Sequence, residues 1–365
     1  MRIYHLYRKE ERRRSGVSFL FMKYCNIWDY ENAAYPFQIF VGGRGTGKTY
    51  SALAGALERK KHFIFMRRRD KELKALMDKR GAEGYNPFKK YNTNNGTNIG
   101  IYKFGEDTAL IGPRTLDEKG RLVPSGEPIG HACALSTVAS IRGIDVSECD
   151  DWFYDEFIKE RHVPKMEGEC EALLNAYETF NRNRELEGCP PMRLWLLANS
   201  NDIYNAIFVG LGIVSTVEKM IAQNKSDLYI SDRKLAIHLL DPAEEFLKAK
   251  ENTALAALTK GTQFYNMAFK NEFAYNDFSH IKQMSVKGMI PVAAIDTCYI
   301  WRRKGSGEYY ISYTPARVPV FNSHIDSDAR LFSRKFAIKL YEPYIKGKVS
   351  FESYELKEFL LDFVL

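Results

Sequence analysis

The stretch Gly42-Gly43-Arg44-Gly45-Thr46-Gly47-Lys48-Thr49 decides the fold, because it matches the pattern G-x-x-x-x-G-K-[ST] at every fixed position. An apolar run at 37–41 precedes it and a good helix-forming segment at 50–58 follows it, as this motif requires. Glycines let the backbone curl and point its N–H groups at phosphate, which a Cβ would obstruct. The eight residues are therefore predicted to bind the phosphates of a nucleotide.

Two side chains of this loop are predicted to do distinct chemistry. Lys48 would neutralise the β and γ oxygens of ATP, and the Thr49 hydroxyl would hold Mg²⁺. The N-terminus of the following helix adds partial positive charge at the same place. ATP and Mg²⁺ are therefore the predicted cofactors.

A loop of this kind needs an acidic residue at the end of a second strand. Of two neighbouring acid pairs, Asp150-Asp151 and Asp155-Glu156, only the second follows an apolar run, at 152–154. Asp155 is predicted to hold Mg²⁺ and Glu156 to polarise the attacking water. The run is short for a central strand because Asp150-Asp151 interrupts it, so a surface acid pair is the alternative for this segment taken alone.

Four further polar residues are candidates for contact with phosphate. Arg182 and Arg184 follow a segment with apolar residues at helical spacing, although an arginine at a helix C-terminus also suits the helix dipole. Asn199 ends an apolar run at 194–198 and could sense the γ-phosphate. Arg142 stands beside a glycine that permits a turn and could reach phosphate or DNA.

The pattern beyond these motifs predicts two folded domains. Short apolar runs alternate with amphipathic segments from 37 to about 240, which favours a mostly parallel sheet with helices on both faces. The composition of 243–260 predicts one helix. Runs at 299–302 and 309–313, joined by a glycine-rich turn, predict a hairpin in a smaller α+β domain. The predicted organisation is a basic and aromatic extension, an ATPase domain, a helical linker and a C-terminal domain, at 1–36, 37–242, 243–276 and 277–365.

Composition excludes several classes of protein. No apolar run approaches the roughly 18 residues of a membrane span, and charges fill 1–16 where a signal peptide would be apolar, so a soluble intracellular protein is expected. Six cysteines without a C-x-x-C pair suggest neither a zinc site nor a disulfide framework. Lys and Arg exceed Asp and Glu by 53 to 46, a net charge of +7 that is compatible with a polyanion partner. Basic clusters at 2–14, 67–69 and 302–304 are either solvated surface or contacts to that partner.

In the order of its motifs, the chain resembles the DNA-packaging ATPases of small tailed bacteriophages of the phi-29 type, which share the additional-strand P-loop class with the large terminases. The segments that carry the resemblance are 40–49, 155–158, 182–185 and 197–200, with weaker likeness at 260–264 and 271–273. It implies an ATP-driven ring, expected to be a pentamer, that docks on a viral portal and pushes double-stranded DNA into an empty capsid in the host cytoplasm. It leaves open whether a structural RNA is a further partner.

The resemblance also implies roles for individual residues. Asp155 corresponds to the metal-binding aspartate, Glu156 to the catalytic glutamate and Arg182 to an arginine finger offered to the neighbouring subunit. Lys48 and Thr49 correspond to the residues that bind nucleotide and Mg²⁺. Arg142 occupies a place where terminase-like ATPases often carry an Arg-Gly pair, which implies a second trans-acting or DNA-coupled role.

For the C-terminal domain, the resemblance to terminases implies an RNase H-like fold, in which several acids gather around two metals. Asp296, after the run 290–295, is the one acid in a suggestive place, and the hairpin presents the basic residues Arg302, Arg303 and Lys304. We therefore predict a vestigial nuclease domain that contacts DNA through these three side chains. The alternatives are a terminase-like ATPase with a working metal-dependent nuclease, and a nucleotide switch that binds a partner without translocation.

Overall fold

The computed structural model describes residues 25–79, 82–141, 143–160, 162–240, 247–248, 251–262, 265 and 276–365. These residues form two compact units. The first contains the described residues within Met1–Asn201 and Ser226–Ala274, and the second those within Asp202–Lys225 and Tyr275–Leu365. Asp202–Lys225, placed in the ATPase domain by the sequence pattern, thus packs with the C-terminal residues.

A sheet of ten strands, counted over the described residues, forms the centre of the first unit. In chain order its strands are β1 (Phe37–Gly42), β2 (His62–Arg67), β3 (Ile99–Lys103), β4 (Thr108–Leu116), β5 (Leu122–Pro124), β6 (Gly130–Ala134), β7 (Cys149–Asp155), β8 (Arg193–Asn199), β9 (Asp227–Ile230) and β10 (Leu235–Leu240). The spatial order is β3-β4-β6-β2-β7-β8-β1-β10-β9, with β5 beside β4.

Six neighbouring strands run parallel, in the spatial order β6-β2-β7-β8-β1-β10. The remaining strands, β3, β4, β5 and β9, pair antiparallel with their neighbours. The predicted mostly parallel sheet is therefore confirmed. Strand β8 lies between β1, which leads into the phosphate-binding loop, and β7, which ends in Asp155. This is the additional strand that the family resemblance implies.

Strand β7 begins at Cys149, three residues before the apolar run that predicted it. Asp151, which was expected to interrupt the strand, is wholly buried within it. Its carboxylate accepts hydrogen bonds from Arg193 and from the indole of Trp195, both at 2.8 Å on the neighbouring β8. Because a buried carboxylate is tolerated when it is paired and hydrogen-bonded, Asp151 can continue the strand.

The helices of the described residues are α1 (Lys48–Glu58), α2 (Asp70–Leu76), α3 (Lys89–Asn95), α4 (Glu169–Asn181), α5 (Ala206–Gly210), α6 (Val214–Ala222), α7 (Ala254–Thr259), α8 (Asp326–Ile345) and α9 (Tyr354–Val364), with 3₁₀ turns at Ile27–Tyr30, Leu135–Ile141 and Ser231–Arg233. The predicted continuous helix over 243–260 is wrong. Thr253 has extended backbone angles (φ −87°, ψ 155°), and its side chain accepts a hydrogen bond from the N–H of Ala256. Thr253 is therefore an N-cap, which starts a new helix.

The segment just before β1 is built into the first unit. Trp28 is 4% exposed, and its indole N–H donates to the carbonyl of Ser51 on α1 at 2.9 Å. Gly55 permits this close approach, because a Cβ there would lie 2.1 Å from the indole nitrogen. The described part of the predicted extension thus supports the helix that follows the phosphate-binding loop, and its most basic part, 2–14, lies outside the described residues.

The second unit is built on a five-stranded sheet with order β14-β11-β12-β13-β15. Its strands are β11 (Met289–Ile295), β12 (Cys298–Arg303), β13 (Tyr309–Ser312), β14 (Val320–Phe321) and β15 (Val349–Phe351). Strands β12 and β13 pair antiparallel, which confirms the predicted hairpin. Helices α8 and α9 pack together against this sheet around a shared apolar core, and α6 contacts α9. No helix in the described part of the chain is both long enough and apolar enough to span a membrane.

In the basic cluster at 67–69, the central residue Arg68 is neither solvated surface nor exposed to a polyanion partner. Arg68 is 2% exposed, and its guanidinium forms a bidentate pair with Glu169 on α4 at 2.7–2.9 Å. The hydroxyl of Tyr154 donates to the same carboxylate at 2.9 Å. The pair therefore connects α4 to the carboxyl ends of β2 and β7, where Asp155 lies.

Removing one partner of this pair should destabilise the protein strongly. In Arg68→Ala, Glu169 would keep a buried charge without a counter-ion, and we expect the free energy of unfolding to fall by about 3–5 kcal/mol. Urea denaturation followed by circular dichroism measures the change, and Lys71→Ala, an exposed neighbour, is the control. A decrease below about 1 kcal/mol, typical of a surface ion pair, would contradict this role.

Candidate nucleotide-binding site

The phosphate-binding loop joins β1 to α1 and borders a cavity of about 430 Å³. Gly45 and Gly47 have positive φ angles of 79° and 96°, a conformation that favours glycine. The cavity is lined by Arg44, Gly45, Thr46, Gly47, Lys48, Thr49, Tyr50, Lys90, Asp155, Glu156, Glu160, Ala198 and Asn199. The structure thus brings together the predicted loop residues from Arg44 onward, the predicted acid pair and Asn199, while Gly42 is the last residue of β1 and Gly43 follows it.

Lys48 is held inside the loop by several oxygen atoms. Its ammonium donates to the carbonyls of Gly42 and Gly43 at 2.9 and 3.0 Å, and to the hydroxyl of Thr46 at 3.2 Å. The side-chain oxygen of Asn199 lies 3.5 Å away, at the end of β8. A phosphate oxygen entering the loop would therefore meet a lysine already positioned at its base.

The hydroxyl of Thr49 donates to the carboxylate of Asp155 at 2.9 Å. Asp155 is 3% exposed, and burial raises its pKa, while the charge of Arg67 lowers it and that of Glu156 raises it further. A hydroxyl and a carboxylate side by side are the oxygen ligands that Mg²⁺ prefers in proteins. The donor set at the end of β7 therefore fits a magnesium ion held by Thr49 and Asp155.

Arg67 is a site residue that the sequence motifs did not identify. Its guanidinium donates to Asp155 at 3.0 Å and also pairs with Glu156. Burial alone would lower the pKa of Arg67, but the charges of Asp155, Glu156 and Glu72 outweigh it and the pKa is raised. Arg67 ends β2 opposite Asp155 in the register of β2 and β7, so only the pairing of these strands could have revealed it.

Glu156 differs from Asp155 in both backbone and exposure. It has a positive φ of 57°, which is uncommon for a residue with a side chain, and half of its side chain is exposed. The turn directs Glu156 to the cavity wall immediately after a buried strand. Such local backbone strain is a feature of functional sites, where the surrounding structure enforces it.

The loop arginine Arg44 pairs with Glu160, which lies beyond the end of β7 and also lines the cavity. This pair joins the phosphate-binding loop to the segment after the acidic strand. The sequence pattern predicted Arg44 only as a loop position, because nothing in the motif indicates its partner.

The two candidate arginines after α4 have different surroundings. Arg184 donates to the carbonyls of Cys149 and Ser147 and pairs with Asp150 at 2.6 Å, so it anchors the start of β7. Arg182 follows α4 with φ 46° and donates to the carbonyl of Ile144 at 3.1 Å. It is exposed and is not among the described residues that line the cavity of its own chain. The third candidate, Arg142, lies outside the described residues.

In the second unit, Asp296 occupies the tight turn between β11 and β12, with a φ of 48°. Its carboxylate accepts hydrogen bonds from the backbone N–H and the hydroxyl of Ser323. Across the described residues, no group of three or more His, Cys, Asp or Glu side chains is arranged to hold a metal. Asp296, the acid that the sequence singled out as a nuclease candidate, is thus hydrogen-bonded to Ser323 from the turn between β11 and β12.

The predicted basic residues of the hairpin are exposed. Arg302 and Arg303 lie at the end of β12, and Lys304 begins the following turn. Arg303 pairs with Glu308 across the hairpin at 3.1 Å, with half of each side chain exposed. The three residues therefore form one continuous basic stretch at the hairpin end.

Comparison with known proteins gives one family match. The family model for the podovirus DNA encapsidation protein (Gp16) matches residues 112–330, which is more than half of the chain. The match includes Asp155, Glu156, Arg182 and Asn199, and it begins after the phosphate-binding loop. Among curated proteins, no sequence matches the chain.

Two solved structures are similar over most of their length. The phi-28 gp11 DNA packaging motor is 20% identical with a TM-score of 0.55, and the match covers 91% of this chain and 95% of that one. The bacteriophage phi-29 viral genome packaging motor assembly is 18% identical with a TM-score of 0.60, covering 93% of this chain and 98% of that one. At these identities the likeness is one of fold.

Proposed function

Because the chain belongs to the podovirus DNA encapsidation family and functions in viral DNA packaging, we propose that it hydrolyses ATP to drive double-stranded DNA into a preformed capsid. One observation carries this proposal. Lys48 and Thr49 meet Asp155, which lies 106 residues after Thr49, in one cavity at the carboxyl ends of parallel strands, which is where ligands bind in open α/β sheets. The charges and hydrogen-bond donors there suit a nucleoside triphosphate with Mg²⁺.

Each of these residues has one task in the proposed reaction. The loop N–H groups and Lys48 bind the β- and γ-phosphates, and Thr49 and Asp155 hold Mg²⁺. When bound, Mg²⁺ offsets negative charge on the phosphate oxygens. Asn199 lies close enough to Lys48 to detect whether the γ-phosphate is present.

Glu156 is the proposed general base. It lies next to Asp155 on the cavity wall, where its carboxylate can accept a proton from the attacking water. Its pairing with Arg67 holds the carboxylate at a fixed place beside the metal-binding residues. Glu156 also argues against a simple nucleotide switch, which need not have a base at this position.

The active assembly is proposed to be a ring, expected to be a pentamer, on the viral portal of an empty capsid in the host cytoplasm. Arg182 would then act on the nucleotide of the adjacent subunit. Its exposure, and its position away from the cavity of its own chain, support this assignment. Arginine suits the role because its guanidinium stays charged and donates from a rigid fork.

The proposed function is tested by measuring ATP hydrolysis of the full chain alone, with double-stranded DNA, and with DNA and empty capsids that carry their portal. We expect hydrolysis to rise with DNA and capsids, and the DNA to become protected from added nuclease. Hydrolysis without DNA protection would contradict translocation. Cleavage of DNA in Mg²⁺ or Mn²⁺ that is abolished in Asp296→Ala would support the alternative of a working nuclease.

DNA binding is proposed to be independent of sequence and to use the basic stretch at 302–304. Neutralising Arg302, Arg303 and Lys304 together should weaken DNA binding and make it less dependent on salt. The slope of log K against log salt should become shallower by about 0.9 for each DNA phosphate that the variant no longer contacts. Fluorescence anisotropy with a labelled duplex at several salt concentrations measures both the affinity and the slope.

Three other exposed basic residues of the second unit provide the charge-matched control, namely Arg330, Lys346 and Lys348. If both triple variants change affinity and slope equally, net charge rather than this surface governs binding. If the 302–304 variant changes neither, the assignment is wrong.

A further inference from the structure

A second lysine lines the nucleotide cavity, and none of the motifs above includes it. Lys90 lies on α3, and its side chain borders the cavity together with Tyr50, the residue directly after Thr49 on α1. The ammonium of Lys90 lies 5.0 Å from the centre of the Tyr50 ring, within the range of a cation–π contact. The lining of the cavity therefore contains a second positive charge beside Tyr50, in addition to Lys48.

Helix α3 is anchored firmly enough to hold Lys90 in place. Asn92 exchanges two hydrogen bonds with the backbone of Ile99 on β3, at 2.8 and 2.9 Å. Phe88, just before the helix, is 1% exposed in the core of the first unit. Asn94, one turn after Lys90 on the same helix face, donates to the Tyr50 hydroxyl at 3.4 Å. Lys90 and Asn94 thus hold the Tyr50 ring from one helix.

The position of Tyr50 indicates which part of a nucleotide Lys90 would meet. In a loop of this type the lysine reaches the β- and γ-phosphates, while the backbone N–H groups leading into the helix cradle the α- and β-phosphates. Asp155 and Glu156 mark the γ end, where water attacks. Tyr50 belongs to the first turn of α1, so Lys90 above its ring lies toward the ribose end of the phosphate chain.

We propose that Lys90, positioned by Tyr50 and Asn94, binds the α- and β-phosphates of the nucleotide, in ADP as well as in ATP. The inference rests on the proposed function, since it places the nucleotide in the same cavity. A lysine ammonium forms charge-assisted hydrogen bonds to phosphate oxygens, which are stronger than neutral ones. Because ADP keeps both phosphates that Lys90 would contact, Lys90 strengthens binding before and after hydrolysis alike.

Calorimetric titration of the full-length chain with ADP and with a non-hydrolysable ATP analogue, both with Mg²⁺, tests this assignment. Lys90→Ala should weaken both affinities by a similar factor of about ten or more, as expected for removal of one charged hydrogen bond. Lys90→Arg should restore most of the affinity, because the charge remains. Lys89→Ala removes the exposed neighbouring lysine and should bind both nucleotides as the natural chain does. Thermal unfolding of each variant checks that it is folded.

Tyr50 provides a second test, of positioning. Tyr50→Phe keeps the ring under Lys90 but removes the hydroxyl that Asn94 contacts, so it should weaken nucleotide binding less than Tyr50→Ala, which should weaken both affinities as Lys90→Ala does. Equal, normal affinities in the two variants would overturn the positioning role.

The possible outcomes separate the inference from the proposed function. If the natural chain binds both nucleotides and Lys90→Ala matches Lys89→Ala, the inference alone is wrong. If Lys90→Ala loses affinity for the ATP analogue but not for ADP, Lys90 acts at the γ-phosphate and the assignment to the ribose end is overturned. If the natural chain binds neither nucleotide, the proposed function fails and the inference with it.

Discussion

Glu156→Gln should bind ATP with nearly normal affinity and hydrolyse it about 10²–10⁴ times more slowly, the usual effect of losing a general base. Glutamine keeps the size and polarity of the side chain, but its amide cannot accept a proton from water. Lys48, Thr49 and Asp155 are untouched, so the phosphates keep their partners. Calorimetry with Mg²⁺ and a non-hydrolysable analogue measures binding, and phosphate release in the presence of DNA and capsids measures turnover.

The control for this variant is Glu171→Gln, the same change at an exposed position on α4. It should leave both binding and turnover unaltered. Loss of nucleotide binding in Glu156→Gln would mean that the variant disturbs Arg67 and Asp155. The change in turnover would then not test whether Glu156 activates the attacking water. Turnover within a few-fold of the natural chain would remove Glu156 from the mechanism.

Arg182→Ala and Lys48→Ala should each be nearly inactive alone and should recover activity when mixed in one ring. Loss of an arginine finger lowers phosphoryl-transfer rates by about 10³–10⁵, and loss of Lys48 removes the charge that opposes the β and γ oxygens. In a mixed ring, an intact loop from one subunit can meet an intact Arg182 from its neighbour. With equal amounts, about one quarter of the interfaces would be of this productive kind in a cyclic ring.

The measurement is ATP hydrolysis by co-assembled variants on capsids, with mixed rings verified by two differently labelled subunits. Variants assembled separately and then combined serve as the control, since they should stay inactive unless subunits exchange. Verified mixed rings without recovery would contradict the trans role of Arg182. Arg142 would then be the better candidate for the trans-acting arginine, because Arg184 is already hydrogen-bonded to residues at the start of β7 in its own chain.

The phosphate-binding loop and the strand alternation could be predicted from the sequence because both depend on local residues. Glycines at 45 and 47 suit positive φ angles, and continuous apolar runs are the pattern of strands buried on both faces. Asp155 and Glu156 could be placed at the end of a strand for the same reason, because the apolar run at 152–154 directly precedes them. Their roles stay predictions until the variants are measured.

Other features could not be predicted because their energy comes from partners distant in sequence. Asp151 was expected to break a strand, yet Arg193 and Trp195 satisfy it from the neighbouring strand. Arg68 was expected at the surface, yet it forms a buried pair with Glu169, 101 residues away. A charged residue can be buried wherever the fold supplies its counter-ion, and no local pattern reports that.

The sequence by itself determined the glycine-rich loop, the acidic strand and the mostly parallel sheet, since backbone conformation and hydrophobic periodicity are encoded over a few neighbouring residues. The tertiary structure decided which cations reach the cavity. Strand register places Arg67 opposite Asp155, and the anchoring of α3 on β3 places Lys90 over Tyr50. Interactions between charged side chains depend on distance in space, which is established only when separate strands and helices pack together.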